Sequence, residues 1–306
     1  MVSQTKTLHL ASDVKFKAQD GENILNKRLH EQIKKKHIEG EQWFRDFREW
    51  LIIVFNNPIN YKHPNNELII LKENQSKIFP FIKNHFQIHY GVGVGETENE
   101  IVRWQLETGQ DVEVCGVDIN AEFIELFTQN LKYKQIEYPQ QKVYLELLHK
   151  TFQEMKQDDF NFINRQFKNT AHICLGGTIG NFKNQNEIFS IFKNNTNPKD
   201  ILLLGFQLDT HIEQTFEKYQ NNIYYPTFVL NYLHHLNEEI NYNKISWNLE
   251  KDTGFITMNY GDTEAFRTRK YNPENIVNEL DLYGFKFLNQ WTDEYNASCV
   301  AVFEKQ

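Results

Sequence analysis

Three glycines stand where a backbone turn could hold a nucleotide-like ligand. Gly91, Gly93 and Gly95 alternate directly after an apolar, strand-like run and before a stretch with helical character. Glycine accepts unusual backbone dihedrals and, having no side chain, lets the main chain approach a ligand closely. Such a turn at the carboxyl end of a strand can therefore cradle a cofactor.

A carboxylate at the end of the next strand-like run extends this pattern. Asp118 follows Gly93 by 25 residues. A carboxylate at this position can accept hydrogen bonds from both hydroxyls of a ribose. Asp118 could also cap the helix that begins near Asn120, because aspartate is a favoured N-cap residue, and the two roles are compatible.

The spacing of the glycines favours one cofactor over another. In a nicotinamide-binding turn the third glycine comes three residues after the second, and this chain has Glu96 there. The glycine turn together with the acidic strand end therefore favours S-adenosylmethionine (SAM) over a nicotinamide nucleotide.

Composition narrows the class of partner. The chain has 306 residues, of which 40% are hydrophobic and 24% charged, which suits one large domain or two modest ones. Its net charge of −8 speaks against nucleic acid, because phosphate binding needs a dense basic surface. A small-molecule substrate fits better, and the oligomeric state stays open.

The cysteines and apolar segments indicate a cytosolic protein. Each of the three cysteines falls in an apolar run, without the short spacing of metal ligands or redox pairs. Buried, reduced thiols and no metal site are therefore expected. No apolar run approaches the roughly 18 residues of a membrane span, and no secretion signal is evident.

Short apolar runs alternate with helical stretches from residue 86 onward, as expected of a parallel sheet with crossover helices. The predicted strands lie at 86–90, 112–119, 143–148, 172–175, 201–207, 255–259 and 299–303, and the predicted helices near 96–107, 121–132, 185–193 and 273–283. The last helix is well delimited, since Asn272 can cap it, Pro273 suits its first turn and Gly284 can end it.

The segments outside this pattern have a different character. Residues 20–85 are predicted to be helices and loops, with an apolar stripe at helical spacing that begins at Trp43 and Phe44. Residues 208–250 are rich in aromatic side chains and asparagine and are too long for a plain loop. We expect a helical insertion there that helps to wall the active site.

Residues 172–182, with the sequence HICLGGTIGNF, resemble a signature of the histidine-specific SAM-dependent methyltransferases, the family of the ergothioneine-pathway L-histidine Nα-methyltransferase. Further matches follow in the family's order over residues 40–306. They are Asn60-Tyr61, Glu67, Leu71, the glycine turn, Asp118, residues 202–209, Tyr219, residues 228–237, Arg269-Lys270-Tyr271 and Trp291-Thr292-Asp293.

The resemblance implies an α/β fold, a Rossmann-like class I methyltransferase core with a mixed seven-stranded sheet. A substrate-binding domain would be added by the N-terminal helical part and an insertion. The implied divisions are 1–85 for the helical cap, 86–207 for the SAM-binding core, 208–270 for the insertion and 271–306 for the end of the core. SAM would be the cofactor and S-adenosylhomocysteine (SAH) the product.

The resemblance also assigns roles to individual residues. Tyr61 and Asn181 match the family's residues that hold the α-amino and carboxylate groups of the substrate, so they are the candidate catalytic residues. Phe152 and Gly176 join Gly91, Gly93, Gly95 and Asp118 as candidate cofactor contacts. The side-chain pocket is predicted to be shaped by Tyr219, Asn231, Phe266 and Thr268.

The chain departs from the family pattern in two places. His89 replaces an acidic residue two positions before the first glycine, which alters a contact to the methionine end of the cofactor. Phe266 and Thr268 replace the glutamate and serine that recognise imidazole. A register shift that brings Glu264 into the pocket could restore a carboxylate, because side chains two residues apart share a strand face.

These observations predict a SAM-dependent methyltransferase of a small, amino-acid-like molecule. The favoured reaction is N-methylation of the α-amine of a free amino acid, or a close derivative, other than histidine. One alternative is O- or C-methylation of a specialised metabolite. Another is a non-catalytic protein that binds SAM or an amino acid.

Overall fold

The computed structural model describes residues 27–44, 63–160 and 167–306. Tyr61 and most of the apolar stripe that begins at Trp43 lie outside these ranges. Within them, ten strands form two sheets. The strands are β1 (Phe86–Tyr90), β2 (Val112–Asp118), β3 (Val143–His149), β4 (Thr170–Cys174), β5 (Ile201–Gln207), β6 (Ile245–Glu250), β7 (Phe255–Tyr260), β8 (Thr263–Arg269), β9 (Phe285–Thr292) and β10 (Ser298–Lys305).

Helices cover both faces of the larger sheet and build much of the remaining structure. They are α1 (27–34), α2 (Gly40–Trp43), α3 (His63–Glu73), α4 (Gln75–Ile82), α5 (Glu96–Glu107), α6 (Ala121–Glu137), α7 (Gln185–Asn195), α8 (Ile212–Gln220), α9 (Tyr225–Val229) and α10 (Pro273–Asp281). Short 3-10 helices span Phe152–Glu154, Gln157–Phe160, Thr178–Asn181, Asn231–Leu236 and Tyr242–Lys244.

The four predicted helices are confirmed as α5, α6, α7 and α10. The residues that begin and end α10 are also as predicted. The Asn272 side chain accepts hydrogen bonds from the backbone N–H groups of Glu274 and Asn275, and Gly284 has the positive φ of 79° that commonly ends a helix.

The larger sheet has seven strands in the order β3-β2-β1-β4-β5-β10-β9. The first five are parallel, and β10 runs antiparallel to both β5 and β9. Each of α5, α6 and α7 connects two parallel strands. This mixed sheet with crossover helices is the Rossmann-like core that was predicted.

One predicted strand belongs to a different sheet from the one expected. The run at 255–259 does form a strand, β7, but β7 pairs with β6 and β8 in a separate three-stranded sheet. Short turns containing Gly254 and Gly261, both with positive φ, join the three strands. The chain therefore pairs locally instead of crossing back to the larger sheet.

The seventh place in the larger sheet is taken by β9, which the sequence pattern does not predict. β9 is an edge strand that pairs with β10 alone, and only Phe285 and Trp291 of its side chains are buried. An edge strand with one solvated face carries no continuous apolar run, so its pattern is weak.

One face of the three-stranded sheet packs in a second hydrophobic core. Residues of α1, α2, α9 and the 3-10 helix Asn231–Leu236 pack on it, including Leu29, Trp43, Phe228 and Leu233, and Phe266 of β8 faces them. The insertion after residue 208 is thus helical only as far as Lys244, and β6 follows.

The N-terminal part contributes to both cores. α3 and α4 pack Ile70, Leu71, Ile78 and Ile82 against the larger sheet, whereas α2 packs beside α9. The domain boundaries at residues 85, 207 and 270 stay predictions. None of the helices in the described residues is long and apolar enough to span a membrane.

Candidate active site

A cavity of about 210 Å³ opens at the carboxyl ends of β1, β2 and β4. The strand order reverses at β1, because β2 and β3 lie on one side of β1 and the chain then returns to place β4 and β5 on its other side. Ligands of open α/β sheets bind at such switch points. The lining residues are Glu39, Gly40, Phe44, Gly91, Val92, Gly93, Val94, Gly95, Glu96, Thr97, Glu98, Asp118, Ile119, Phe123, Lys150, Thr151, Phe152, Gln153, Gly176, Thr178, Asn181 and Phe182.

The glycine turn forms one wall of this cavity between β1 and α5. Gly93 has a positive φ of 49°, and a Cβ at this position would meet no atom within 4 Å. The main chain is therefore open to the cavity where a side chain would otherwise fill the space. This is the shape needed to cradle a nucleotide-like ligand.

Asp118 ends β2 on the opposite side of the turn. Its carboxylate accepts hydrogen bonds from the backbone N–H groups of Gly93, at 3.2 Å, and Asn120, at 2.9 Å. Asn120, not Asp118, caps α6. Burial raises the pKa of Asp118 to about 6, and the backbone donors oppose this rise.

Phe152 and Gly176 close the remaining sides of the cavity. The Phe152 ring stacks on Phe182, with centroids 6.0 Å apart. The backbone N–H of Gly176 donates to the buried carboxylate of Glu67 on α3, at 2.6 Å. All six candidate cofactor contacts therefore line one cavity.

The signature segment places Asn181 at the end of the 3-10 helix Thr178–Asn181. A Cβ on Gly180 would lie 2.7 Å from the carbonyl oxygen of Arg269, so only glycine lets this helix approach β8. The hydroxyl of Tyr271 also donates to the carbonyl of Ile179, at 3.0 Å. These contacts fix the half-buried Asn181, whose side chain forms no hydrogen bond with any other described residue.

Asn181, Phe44 and Gly176 line both the large cavity and a smaller one of about 20 Å³ beside it. The smaller cavity is bounded by Trp43, Phe44, Gly176, Gly177, Asn181, Gln207, Tyr219, Tyr225, Phe228, Phe266, Thr268 and Lys270. The two cavities thus meet at Asn181. The smaller one contains three of the predicted pocket residues, namely Tyr219, Phe266 and Thr268.

Aromatic rings dominate the smaller cavity. Phe266 is in contact with Trp43, Tyr225 and Tyr219, at centroid distances of 4.8, 5.3 and 5.6 Å. Phe266 itself is buried. Aromatic rings therefore surround the smaller cavity, while Asn181, Gln207, Thr268 and Lys270 add polar groups to its lining.

One cation is buried in the wall of the smaller cavity. Lys270 is 3% exposed, and its ammonium donates to the hydroxyl oxygens of Tyr219, at 3.1 Å, and Thr268, at 3.3 Å. Neither partner carries a negative charge, and no carboxylate of the described residues pairs with Lys270. Burying an unpaired charge is costly, so an anionic ligand group would be favoured here.

Glu264 lies outside both cavity linings because other residues hold its carboxylate. Arg267 donates two hydrogen bonds to it, at 2.8 and 2.7 Å, and Nδ1 of His37 lies 2.8 Å from Oε1. Burial opposes ionisation of Glu264, but the hydrogen bonds from His37 and Arg267 lower its pKa to about 2. β8 does contain a register irregularity near this point, yet it does not bring Glu264 into the pocket.

One described site residue that the sequence predicts, Asn231, is not part of either lining. Asn231 is buried, and its side-chain amide donates to the backbone carbonyl of Trp43 at 2.7 Å, so it supports the pocket wall from behind. Tyr61 lies outside the described residues.

Among the lining residues that the sequence did not single out, three matter most for the chemistry of the site, namely Lys270, Phe44 and Glu98. Lys270 belongs to the Arg269-Lys270-Tyr271 match, which was the available signal. Phe44 begins the apolar stripe of the N-terminal part. Glu98 follows the glycine turn by three residues, but an acidic residue in the first turn of a helix is common for electrostatic reasons and carries no specific signal.

Comparison with known proteins assigns the chain to a family. It matches the family model described as "Histidine-specific methyltransferase, SAM-dependent" over residues 54–253, which is 200 of its 306 residues. No curated protein matches the sequence.

Similar solved structures share little sequence with this chain. A magnesium protoporphyrin IX methyltransferase from Synechocystis PCC 6803 is 13% identical, covers 86% of this chain and 97% of its own, and has a TM-score of 0.47. A possible histamine N-methyltransferase from Thermotoga maritima is 10% identical, covers 87% of this chain and 100% of its own, and has a TM-score of 0.46. A SAM-dependent methyltransferase from Clostridium acetobutylicum is 10% identical, covers 85% of this chain and 92% of its own, and has a TM-score of 0.44.

At this level of similarity the family match, not these structures, assigns the chain. The match includes the glycine turn, Asp118 and the signature segment that ends at Asn181. The chain belongs to the histidine-specific methyltransferase family and is a SAM-dependent methyltransferase.

Proposed function

We propose that this enzyme methylates the α-amine of a free amino acid, or a close derivative, other than histidine. The observation that carries the proposal is the position of Asn181. Asn181 and Gly176 are the residues of the signature segment that line both the large cavity, which suits the cofactor, and the smaller cavity beside it, and of the two only Asn181 has a side chain that could hold a substrate. A nucleophile held by Asn181 would therefore lie between cofactor and pocket.

The large cavity would hold SAM. Gly91, Gly93 and Gly95 would cradle the cofactor, Asp118 would accept hydrogen bonds from its ribose, and Phe152 and Gly176 would close the wall. When bound, SAM supplies a methyl group on a sulfonium centre. The open space at Gly93 and the buried carboxylate of Asp118 both suit such a ligand.

The chain's own residues would then align the amine. A methyl transfer needs the attacking atom within about 3–3.5 Å of the carbon and in line with the bond that breaks. Asn181 offers both a donor and an acceptor, which suits a molecule with an amine and a carboxylate. Tyr61 would assist by analogy with the family, and water can take the proton that the amine loses.

Lys270 and Tyr219 would bind the carboxylate of the substrate. The buried ammonium of Lys270 faces only neutral oxygens among the described residues, and a substrate carboxylate would supply the missing charge. This supports an amino acid over an amine that has lost its carboxylate.

Phe266 supports a side chain other than imidazole. Its ring cannot accept a hydrogen bond from a ring nitrogen, and the nearest carboxylate on the same strand, Glu264, is bound to Arg267 and His37. Thr268 and the surrounding aromatic rings would bound the space for that side chain. Asn231 would set the shape of this pocket through Trp43.

A screen of the amino acids and their decarboxylated counterparts, each with SAM, tests the proposal. We expect SAH release and a mass increase of one methyl group or more, with fragmentation placing the methyl on the α-nitrogen. Histidine as the best substrate, or a methyl on oxygen or carbon, would contradict the proposal.

We also propose, as the sequence predicts, that the enzyme works in the cytosol on a small molecule. The three cysteines support this location, since each is buried as a free thiol.

A further inference from the structure

Two of the carboxylates that line the large cavity are buried. Glu98 is 4% exposed and Asp118 is 6% exposed. Glu96, in the same turn of α5 as Glu98, is exposed, so water screens its charge. Asp118 is satisfied by two backbone donors and suits a ribose, which leaves Glu98 without an assigned role.

Glu98 is surrounded by groups that cannot neutralise it. Its carboxylate accepts a hydrogen bond from the Thr97 hydroxyl at 2.8 Å, and no lysine, arginine or histidine of the described residues forms an ion pair with it. The titratable groups near it are Glu67, Asp118 and the thiol of Cys174. Burial, with the charges of the two neighbouring carboxylates, raises the pKa of Glu98 to about 8.

The neighbours of Glu98 also locate it in the cavity. Asp118 accepts a hydrogen bond from Gly93, in the loop after β1, and Glu67 accepts one from Gly176, in the loop after β4. Glu98 interacts electrostatically with both carboxylates. Glu98 also lines the large cavity together with Gly93 and Gly176, so a ligand that contacts both loops would lie in the same cavity as its carboxylate.

The end of β1 offers no acidic group to the same space. His89 is fully buried, its Nε2 lies 3.1 Å from the Gln87 side chain, and its ring packs against Phe127 on the side of α6. Burial lowers the pKa of His89 to about 3, so the ring is neutral. His89 does not line the cavity.

We propose that Glu98 binds the α-ammonium group of the methionine moiety of the cofactor. An ammonium can donate hydrogen bonds to the carboxylate and balance its charge, so a bound amine would stabilise the ionised form that burial alone disfavours. The sulfonium has no N–H or O–H group to donate, so it satisfies the carboxylate less well. In this chain the anionic partner of the amine comes from the first turn of α5, not from the end of β1.

Calorimetry with two ligands tests this inference without any methyl acceptor. The ligands are SAH and its deamino analogue, in which hydrogen replaces the amine. We expect the native protein to bind SAH more tightly than the analogue. Glu98→Gln should weaken SAH binding about 10- to 100-fold, the range for a hydrogen bond to a charged group, and change binding of the analogue less than about threefold.

Glu107→Gln is the matched control, because it removes the same charge from an exposed carboxylate at the other end of α5, outside both cavity linings. It should change neither affinity more than about twofold, as expected for a screened charge. Equal binding of both ligands by the native protein would overturn the inference without any variant. So would an equal loss for both ligands in Glu98→Gln, or unchanged SAH affinity in that variant.

Discussion

Replacing Asn181 with alanine should separate catalysis from cofactor binding. The Asn181 side chain forms no hydrogen bond with the other described residues, and it lines both cavities. The substitution therefore removes no internal hydrogen bond and leaves the 3-10 helix, held by Tyr271 and the close approach of Gly180, in place. Its cost should fall on the bound substrate.

The size of that cost follows from the hydrogen bonds that the amide can make. One or two hydrogen bonds to a charged amino acid, at about 1.5–3 kcal/mol each and not fully additive, amount to about 2–4 kcal/mol. This corresponds to a loss of about 30- to 1000-fold in kcat/KM. Affinity for SAM should change less than about threefold, because the large cavity keeps its glycine turn and Asp118.

Steady-state kinetics with the best substrate, together with calorimetry for SAM and SAH, measure the two effects. Asn184→Ala is the matched control, since Asn184 caps α7 through the backbone N–H of Asn186 and lies outside both linings. It should cost about 1 kcal/mol of folding free energy and leave kcat/KM nearly unchanged. Equal losses of cofactor affinity and turnover in Asn181→Ala would refute the assignment to the substrate.

Other substitutions test the remaining parts of the site. Asp118→Ala should weaken SAM and SAH binding by about 1.5–3 kcal/mol; unchanged affinity by calorimetry would leave the carboxylate a purely structural role. Lys270→Gln should lower kcat/KM at least about tenfold for an amino acid but not for its methyl ester, and equal losses for both would exclude carboxylate recognition. Phe266→Glu should raise kcat/KM for histidine relative to the native substrate, and no change in this ratio would remove Phe266 from the specificity pocket. Because burial raises the pKa of Glu98 from 4.5 to about 8, its ionisation opposes folding, so its stabilising contribution is present below about pH 4.5 and is lost as the pH rises towards 8. In chemical denaturation of the ligand-free proteins, the free energy of unfolding of Glu98→Gln should rise relative to that of the native protein between these pH values, by at most about 1.4 kcal/mol per pH unit. A difference that does not change with pH would contradict the burial of an unpaired carboxylate.

Local patterns in the sequence determined the core of the fold and indicated a candidate cofactor site. The alternating glycines, Asp118 and the signature segment are short motifs whose geometry depends on a few neighbouring residues. Buried parallel strands carry continuous apolar runs, and helix caps such as Asn272 act within one turn. These features could therefore be predicted along the chain, and the six candidate cofactor contacts all line one cavity.

Contacts between distant segments decided the rest. The sequence could not show that β7 pairs with β6 and β8, because a strand pattern does not name its partner strand. Nor could it show that Glu264 is held by His37, 227 residues away, or that Lys270 is buried beside Tyr219. The charge environment of a side chain depends on which segments pack around it, so only the tertiary structure left Lys270 and Glu98 without charged partners among the described residues. For that physical reason the glycine turn can be recognised in the sequence, whereas the unpaired charges that we propose to bind the cofactor's amine and the substrate's carboxylate appear only in the folded protein.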